Sequence, residues 1–406
     1  MSEQTYHLFE VFGVELEYMI VDANTLSVVP LADQVMHAVA GEFASEVELG
    51  ELAWSNELMA HVIELKTNGP AADLTMLPKL FQEHVGRINE ILQSHGASLT
   101  PTAMNPWMDP HSEAKLWPHE HNAVYESFDR IFDCRGHGWA NLQSAHLNLP
   151  FANDEEFGRL HTAIRLLLPI MPALSASSPV MDGSVTGVLD NRMEVYRNNA
   201  RAVPSVAGDV VPEAVFTKAA YQTEIFERIY RDIAPYDPDG ILQHEWLNSR
   251  GAIARFQRNT IEIRVLDVQE CPLADVAICA AISAVLRLLT SEKWTSFQQQ
   301  QQVENGMLVK VLQNVIHDAD EAQISDADCL RHFGLDARVL SARELWQHLI
   351  AEAQLPSLCA EPIDKIITSG CLARRIVKAL GEDVEGNLKP VYRSLSDCLL
   401  EGRMFE

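Results

Sequence analysis

The chain has 406 residues, of which 47% are hydrophobic and 22% charged, as in an ordinary globular protein that buries a large core. Its 57 acidic and 31 basic residues give a formal net charge of −26, which argues against nucleic acid and anionic membranes as partners. The 7 cysteines are scattered without a CxxC pair, so they predict free thiols in a reducing compartment, the cytoplasm. The sequence predicts neither a signal peptide nor a membrane-spanning segment.

The first predicted element is a strand over residues 8–22, which contains the segment VELEYMIVD. Because alternate side chains of a strand share a face, Glu15 and Glu17 point the same way, opposite an apolar face. Two adjacent carboxylates repel each other unless a cation or a shared proton joins them, or unless both are simply hydrated. The segment therefore predicts either a solvent-facing strand or a cation site.

The second predicted strand, residues 61–67 (HVIELKT), ends at an Asn-Gly-Pro turn. It carries Glu64 between two apolar residues, and Glu57 precedes it in a short polar loop. An acidic side chain that is buried unpaired is costly, and convergence of several such groups on Mg²⁺ removes that cost. The amphipathic segment 73–95 that follows predicts a helix with Asp73 as its N-cap.

A loop over about 100–120 leads to a third predicted strand, residues 140–149, and then to an apolar helix over about 154–177. His146 and Asn148 share one face of this strand. A lone histidine on a strand is more often a hydrogen-bonded structural residue. Together with the carboxylates, however, His146 becomes a candidate metal ligand or phosphate contact.

Residues 252–256 and 260–268 predict a β-hairpin, and another apolar helix is expected from Pro272 to about residue 290. The second strand of the hairpin carries Glu262 between two isoleucines, with Arg264 two residues later on the same face. Glu262 thus places an acid on a third apolar strand, which favours a shared Mg²⁺ site over isolated buried charges.

The elements predict an α+β fold with a mainly antiparallel sheet, because the strands occur in hairpins and widely separated segments. Residues 1–295 are expected to form the catalytic domain. The mostly helical residues 296–406, which include the Gln298–Gln302 tract, are expected to pack on the same domain. The sequence contains no P-loop, GxGxxG, GxSxG or HExxH motif, so the corresponding chemistries lack support.

Four segments occur in the order found in the glutamate–cysteine ligase type 2 family, and the chain resembles that family, including its YbdK-like carboxylate–amine ligases. They are VELEYMIVD, HVIELKTNGP, HLNL followed by ALSASSP, and TIEIRVLDVQECP. The resemblance covers about residues 8–290. It implies a catalytic fold like that of glutamine synthetase and the guanidino kinases, in which a curved, mainly antiparallel sheet backed by helices forms a funnel-shaped active site.

The resemblance also implies roles for individual residues. The metal ligands that it implies are Glu15, Glu17, Glu57, Glu64, His146 and Glu262. It places His146 near the metal and ATP, and it makes Arg264 the arginine that contacts the transferring phosphate. Asn148, on the same strand face as His146, is also predicted to bind the cofactor. Glu64 and Arg264 are therefore the residues expected to be catalytic.

Two departures from the family pattern concern the acceptor amine more than the ATP chemistry. The segment SAHLNL stands where many YbdK-like members carry HVHVG, so only one of two histidines is present. Residues 190–196 replace a more usual SYR-type segment. Within them, Arg192 and Tyr196 are predicted to bind substrate, Arg192 through a substrate carboxylate.

The chemistry that the family implies has two steps: the γ-carboxylate of glutamate attacks the γ-phosphate of ATP, and an amine then displaces phosphate from the acyl phosphate. ATP and Mg²⁺ are the expected cofactors, and glutamate and cysteine, the family's default acceptor, are the expected substrates. The loops at about 100–120 and 178–212 are expected lids. A guanidino-kinase-like phosphotransferase and a non-catalytic binding or regulatory homologue stay open as alternatives. The identity of the amine and the oligomeric state, including a homo-oligomer, also stay open.

Overall fold

One large antiparallel sheet dominates the computed structural model, which describes residues 5–336 and 339–406. The strands are β1 (Gly13–Asp22), β2 (Glu46–Leu49), β3 (Leu52–Asn56), β4 (Val62–Thr67), β5 (Ala97–Thr100), β6 (Ser144–Pro150), β7 (Val180–Met181), β8 (Ser184–Val185), β9 (Ala252–Arg255), β10 (Thr260–Asp267), β11 (Gln323–Ile324) and β12 (Leu340–Ser341). The order in the large sheet is β2-β3-β4-β1-β6-β10-β9, and β5 pairs with the end of β1. The pairs β7-β8 and β11-β12 form two small two-stranded sheets.

Helices make up most of the remaining secondary structure. The longer α-helices are Ala32–Ala40, Leu77–Gln93, Asn122–Phe132, Asp154–Leu167, Pro272–Thr290, Asn305–Asp318, Ala342–Glu352, Ser357–Ser369, Leu372–Leu380 and Val384–Glu401. The shorter ones are Pro110–Glu113, His137–Ala140, Pro172–Ser175, Asn191–Tyr196, Lys218–Tyr221, Glu227–Ile233, Phe297–Gln301 and Ala327–Arg331.

The hydrophobic core lies on one face of the large sheet. Val14 and Leu16 of β1 are fully buried on that face, as the alternation of the strand predicts. The helix Pro272–Thr290 contacts β1 and packs against the helices Leu77–Gln93 and Asp154–Leu167. Because helices cover this face, the polar residues that alternate with the apolar ones are directed to the opposite face of the sheet.

The predicted fold class, α+β with an antiparallel sheet backed by helices, is confirmed. The helix from Pro272 ends at Thr290, close to its predicted end. The first strand begins at Gly13 rather than at residue 8. The long helix predicted over 154–177 is wrong beyond Leu167, where prolines lack the backbone donor that a continuous helix needs and only short helical turns follow.

Three short strands of the large sheet, β2, β3 and β5, fall outside the predicted elements. Each has only 4 or 5 residues. The sequence of β3, LAWSN, is completely buried although it ends in two polar residues, so its hydrophobic pattern resembles neither an alternating strand nor an apolar one. Pairing with β4 determines its conformation, and such long-range pairing cannot be read from a short sequence window.

The residues beyond 296 pack on the rest of the chain. The helix Ser357–Ser369 packs on Pro272–Thr290, and the helix Val384–Glu401 contacts β5. Part of the Gln298–Gln302 tract forms the short helix Phe297–Gln301, which begins with a capping box. The division of the chain near residue 295 stays a prediction.

The helix Pro272–Thr290 is long and apolar enough to cross a membrane by length and composition, although no such segment was expected from the sequence. In the structure 78% of its apolar window is buried inside the fold. It therefore has the environment of a core helix, which meets the same length and composition criteria.

His161 makes folding sensitive to acid. Its ring is fully buried and stacks on Phe157, with 5.4 Å between ring centroids. Burial and then the charge of Arg165 lower its pKa to about 3. Between pH 6.5 and 3, His161 binds a proton in the unfolded chain but not in the folded one. The free energy of unfolding is therefore not reduced by His161 above about pH 6.5, and it falls as the pH decreases below that value.

We expect His161→Phe to reduce the pH dependence of the free energy of unfolding by up to about 1.4 kcal/mol per pH unit, which is the dependence that the binding of one proton produces. Urea unfolding at pH 7, 6 and 5 measures it. His95→Phe, the same change at an exposed histidine, should keep the slope of the unaltered protein. Equal slopes in all three proteins would contradict the prediction.

Candidate active site

The register of the sheet brings the predicted site residues of four strands into one row on the face opposite the core. Three pairs lie directly across from each other: Glu17 and Glu64, Glu15 and His146, and Glu262 and Asn148. Neighbouring side chains on one face of an antiparallel pair are close enough to interact. We call the row formed by Glu15, Glu17, Glu64, His146 and Glu262, together with Glu57 beside it, the carboxylate cluster.

His146 is the hydrogen-bonding centre of the cluster. Its Nδ1 lies 2.9 Å from Glu15 Oε2, and its Nε2 lies 2.9 Å from the hydroxyl oxygen of Ser144. The Ser144 hydroxyl and backbone N–H in turn donate to Glu17 Oε2 over 3.0 and 2.7 Å. Asn148 Nδ2 donates to Glu15 Oε1 over 3.0 Å. The polar side chains of β1 and β6 are thus joined by hydrogen bonds.

These contacts determine the protonation state of His146. Burial alone would lower its pKa, but the hydrogen bond to Glu15 and the charges of Glu17 and Glu15 raise the pKa to about 9. Burial opposes ionisation of Glu15, yet its bond to His146 and the charges of His146 and Lys66 hold its pKa below the usual range. In the absence of metal, His146 is therefore protonated on both ring nitrogens and positively charged. One ring nitrogen would have to lose its proton before it could bind a metal.

Glu64 lies at the other end of the row and is almost completely buried. It accepts a hydrogen bond from the hydroxyl of Ser55, and its Oε2 lies 3.3 Å from Lys66 Nζ. Lys66 is also 2.6 Å from Glu46. Burial and the charge of Glu15, only partly offset by Lys66, raise the pKa of Glu64 to about 7. One cationic side chain thus does not neutralise this end of the cluster.

Glu57 adds to the excess of negative charge. It follows the end of β3 directly, as the predicted loop position requires. Burial and the charges of Glu17 and Glu64 raise its pKa well above the usual range. The raised pKa values of Glu57 and Glu64 have the same cause: both carboxylates are buried beside other carboxylates, with too little positive charge nearby to offset the repulsion.

The donor atoms of the cluster fit a divalent metal. Ligand atoms of Glu15, His146 and Glu262 lie within 4.8 Å of one another, as do those of Glu17, Glu64 and His146. Carboxylate oxygens are the ligands that Mg²⁺ prefers, and it commonly shares them with substrate phosphates. A cation would also relieve the repulsion that raises the pKa values. The ligand roles predicted for these residues stay a prediction.

Arg264 lies beside Glu262, with 3.3 Å between Arg264 Nε and Glu262 Oε1. The other oxygen of Glu262 is 2.8 Å from Arg255 Nη1. Arg264 Nε is buried and has no hydrogen-bond partner in the part of the chain that the structure describes. Burial opposes its charge, but Tyr196 and carboxylates including Glu262 raise its pKa, so the guanidinium remains positive. It can therefore offer donors to an anion.

The two predicted substrate-binding residues make contacts within the protein. The Arg192 side chain is only 2% exposed, and its Nε lies 2.5 Å from Asp267 Oδ1. Tyr196 donates its hydroxyl hydrogen to the Ser249 carbonyl over 2.9 Å. Their predicted substrate contacts stay untested, and for Arg192 the burial leaves little surface to which a substrate could bind.

A cavity of about 530 Å³ opens beside the cluster. Its wall includes Glu15, Lys66 and Asn148 from the sheet, and apolar side chains such as Phe12 and Pro150. Its lining therefore combines apolar side chains with a few polar and charged groups, as that of small-molecule sites does.

Several residues of the site were not among the predicted ones: Ser55, Lys66, Ser144, Arg255 and Asp267. Lys66 and Ser144 stand two residues from a predicted site residue on the same strand, so the alternation that identified Glu64 and His146 also identifies them. Ser55 belongs to the unpredicted strand β3. Asp267 reaches this face only because of an irregularity in β10, for which the sequence offers no local indication.

Comparison with known proteins agrees with these features. The model of one family, described as glutamate-cysteine ligase family 2 (GCS2), matches residues 11–394. An uncharacterized protein of Archaeoglobus fulgidus is 37% identical over 275 residues, which cover 68% of this chain and 73% of that protein.

Solved structures share the fold at low sequence identity. A glutamate–cysteine ligase from Francisella tularensis, crystallised with AMP, matches with a TM-score of 0.56 and 12% identity over 98% of this chain and 89% of that one. A bifunctional glutathione synthetase from Pasteurella multocida matches with a TM-score of 0.55 and 13% identity over 97% of this chain. This chain spans only 52% of the Pasteurella protein, about half its length.

Proposed function

Because the chain belongs to glutamate-cysteine ligase family 2, whose model matches residues 11–394, we propose that it is an ATP- and Mg²⁺-dependent ligase that joins the γ-carboxylate of glutamate to an amine. The observation that carries this proposal is the carboxylate cluster with Arg264 at its edge. Buried acidic groups with an excess of negative charge suit a metal-bound polyphosphate, as does the neighbouring arginine, whose Nε has no hydrogen-bond partner among the described residues. Cysteine is the acceptor that we propose first.

In the first step, the γ-carboxylate of glutamate attacks the γ-phosphorus of ATP, the bond to the bridging oxygen breaks, and ADP leaves. Mg²⁺ held by the carboxylate cluster would supply positive charge that offsets the repulsion between these anions. Arg264 donates hydrogen bonds to the equatorial oxygens of the transferring phosphoryl group, where charge is spread in the transition state.

In the second step, the nitrogen of the amine attacks the acyl carbon. The bond between that carbon and the phosphate oxygen breaks, phosphate leaves with its electron pair, and the amide remains. The amine must lose a proton as the carbon–nitrogen bond forms, and the departing phosphate can accept it. The chain must also exclude water, since an acyl phosphate hydrolyses readily. We assign that task to the loops at about 100–120 and 178–212.

The cavity beside Glu15 and Lys66 is our candidate site for the nucleoside of ATP. It has room for such a group, and its lining includes Glu15 of the cluster, near which we place the phosphates. The Francisella ligase was crystallised in complex with AMP, which supports nucleotide binding by this fold. We place the protein in the cytoplasm, where its cysteines, all free and buried, would remain reduced.

The proposed function is tested by an ADP-release screen with ATP, Mg²⁺ and glutamate against a panel of amino acids and small amines. We expect ADP release that depends on both glutamate and one acceptor, with cysteine giving the highest kcat/KM. The same screen with guanidino compounds in place of glutamate tests the phosphotransferase alternative. ADP release with a guanidino compound but not with glutamate and an amine would contradict the ligase assignment. The absence of ADP release with every substrate tested would contradict it as well.

ATP binding should depend on Mg²⁺. Without the metal, the triphosphate approaches several carboxylates whose charges already repel one another. We expect calorimetry to show ATP binding at least about tenfold tighter with excess Mg²⁺ than with EDTA, roughly 1.4 kcal/mol. Equal affinity under the two conditions would remove the metal from the proposed site.

A further inference from the structure

The strand β10 contains a β-bulge at Arg264. Ile263 pairs with Leu147 of β6, but the next pair is Leu266 with Ala145. Two residues of β10, Arg264 and Val265, therefore lie opposite the single residue His146. Such bulges re-aim a side chain and interrupt the ladder of hydrogen bonds, and they are common beside active sites.

The bulge changes the pairing of β10 with β6 and leaves its register with β9 intact. The Arg264 N–H donates to the Gly251 carbonyl over 2.8 Å, which continues the register of β9 and β10 by one residue. The extra residue also reverses the alternation, so that Asp267 lies opposite Ser144. Asp267 consequently joins the face that carries the cluster, although strict alternation from Glu262 would turn it away.

Arg192 donates hydrogen bonds to β10 both within the bulge and just beyond it. Its Nη2 donates to the carbonyl oxygen of Arg264 over 3.2 Å, and its Nε donates to Asp267 Oδ1 over 2.5 Å. Asp267 Oδ2 also accepts hydrogen bonds from the Ser177 N–H at 2.8 Å and the Ser178 hydroxyl at 2.9 Å. The contacts of Arg192 thus go to the backbone of the bulge and to Asp267, one residue beyond the point where pairing with β6 resumes.

The position of Arg192 is itself fixed. It lies in the helix Asn191–Tyr196, whose first turn is capped by Asp190 through a 2.8 Å bond from the Met193 N–H. The Arg192 N–H donates to the Ser178 hydroxyl oxygen over 3.1 Å. Because its guanidinium is almost fully buried and its partners are internal, it is better suited to support the strand than to capture a substrate.

We propose that Arg192 is a positioning residue that holds the bulge of β10 and thereby sets the direction of the Arg264 side chain. This inference rests on the proposed function, in which Arg264 contacts the transferring phosphoryl group. It replaces the substrate-carboxylate role expected from the sequence. A displacement of about 1 Å in a catalytic group can cost about a hundredfold in rate, so a support of this kind matters for turnover.

Arg192→Lys tests the proposal because lysine keeps the charge but cannot bond the Arg264 carbonyl and Asp267 in the same forked geometry. We expect kcat to fall by about ten- to a hundredfold while KM for glutamate stays within about twofold. In an Arg264→Lys background the same change should have almost no further effect, because Arg192 acts through Arg264. Ser178→Ala, which removes one bond to Asp267 and one to Arg192, should cause a smaller loss of the same kind.

Arg165→Lys is the matched control. Arg165 is also fully buried and bonds backbone carbonyls, those of Pro212 and Val303, but it makes no hydrogen bond to β10. We expect Arg165→Lys to leave kcat of the folded protein nearly unchanged. If it lowered kcat as much as Arg192→Lys does, the loss would come from replacing a buried arginine in general and not from the contacts with β10.

The outcomes distinguish the two roles of Arg192. A rise of tenfold or more in KM for glutamate that persists in the Arg264→Lys background would show that Arg192 binds substrate and would overturn the inference. Normal kcat in the folded fraction of both Arg192→Lys and Ser178→Ala would also overturn it. If the unaltered protein neither binds ATP by calorimetry nor releases ADP, the proposed function fails first, and the inference falls with it.

Discussion

Replacing Glu64 with glutamine (Glu64→Gln) should lower kcat by at least about a thousandfold, roughly 4 kcal/mol of barrier, while the protein stays folded. The change keeps the shape of the side chain and removes a charge that a metal ligand needs. The fold should tolerate it because burial and the charge of Glu15 raise the pKa of Glu64 to about 7, so the side chain is partly neutral before metal binds. The amide oxygen can still accept the hydrogen bond from Ser55.

Steady-state kinetics at saturating Mg²⁺ and ATP, with a melting curve on the same preparation, measure both effects. Glu48→Gln is the matched control, because Glu48 is an exposed glutamate on β2 of the same sheet. It should leave kcat and the melting temperature nearly unchanged. If Glu64→Gln retained more than about a tenth of kcat, roughly 1.4 kcal/mol or less would be at stake, and Glu64 would not be a ligand of the reactive centre.

Arg264→Lys should lower kcat by about two to three powers of ten, roughly 2.7–4 kcal/mol, as expected for the loss of one transition-state donor. Lysine keeps the positive charge beside Glu262 but loses the planar fork that matches phosphate oxygens. The melting temperature should change little. A purely structural arginine predicts the reverse: a lower melting temperature and nearly normal kcat in the folded fraction.

Arg255→Lys separates the two roles further. Arg255 and Arg264 both pair with Glu262, at 2.8 and 3.3 Å. If the effect of Arg264→Lys came only from a weakened ion pair with Glu262, Arg255→Lys should reduce kcat as strongly. We expect the reduction at Arg255 to stay below about tenfold. Equal losses at the two positions would remove Arg264 from the phosphoryl site.

Much of the site follows from the period of two in a strand. That period placed Glu15 with Glu17, and His146 with Asn148, on one face, and the structure shows the hydrogen bonds between these pairs. The order in which strands pair cannot be read from alternation. The contact of Glu17 with Ser144 joins residues 127 positions apart and depends on β1 lying between β4 and β6.

The bulge of β10 marks a clear limit of sequence reasoning. Strict alternation puts Asp267 on the apolar side of the strand, and nothing in TIEIRVLD indicates an extra residue. The bulge interrupts only the pairing of β10 with β6, because the Arg264 N–H still bonds to Gly251 in the register of β9, and the Arg264 carbonyl accepts from Arg192. At the same irregularity Arg192, which the sequence predicts to bind substrate, donates hydrogen bonds to the Arg264 carbonyl and to Asp267.

The most direct test of the central claim follows the oxygen atoms of glutamate. Glutamate labelled with oxygen-18 in its γ-carboxylate is incubated with ATP, Mg²⁺ and the best acceptor, and the phosphate and nucleotide products are analysed by mass spectrometry. Formation and breakdown of an acyl phosphate predicts ADP and one labelled oxygen in each phosphate released, with the other retained in the amide. Unlabelled phosphate, or AMP carrying the label, would contradict the proposed reaction.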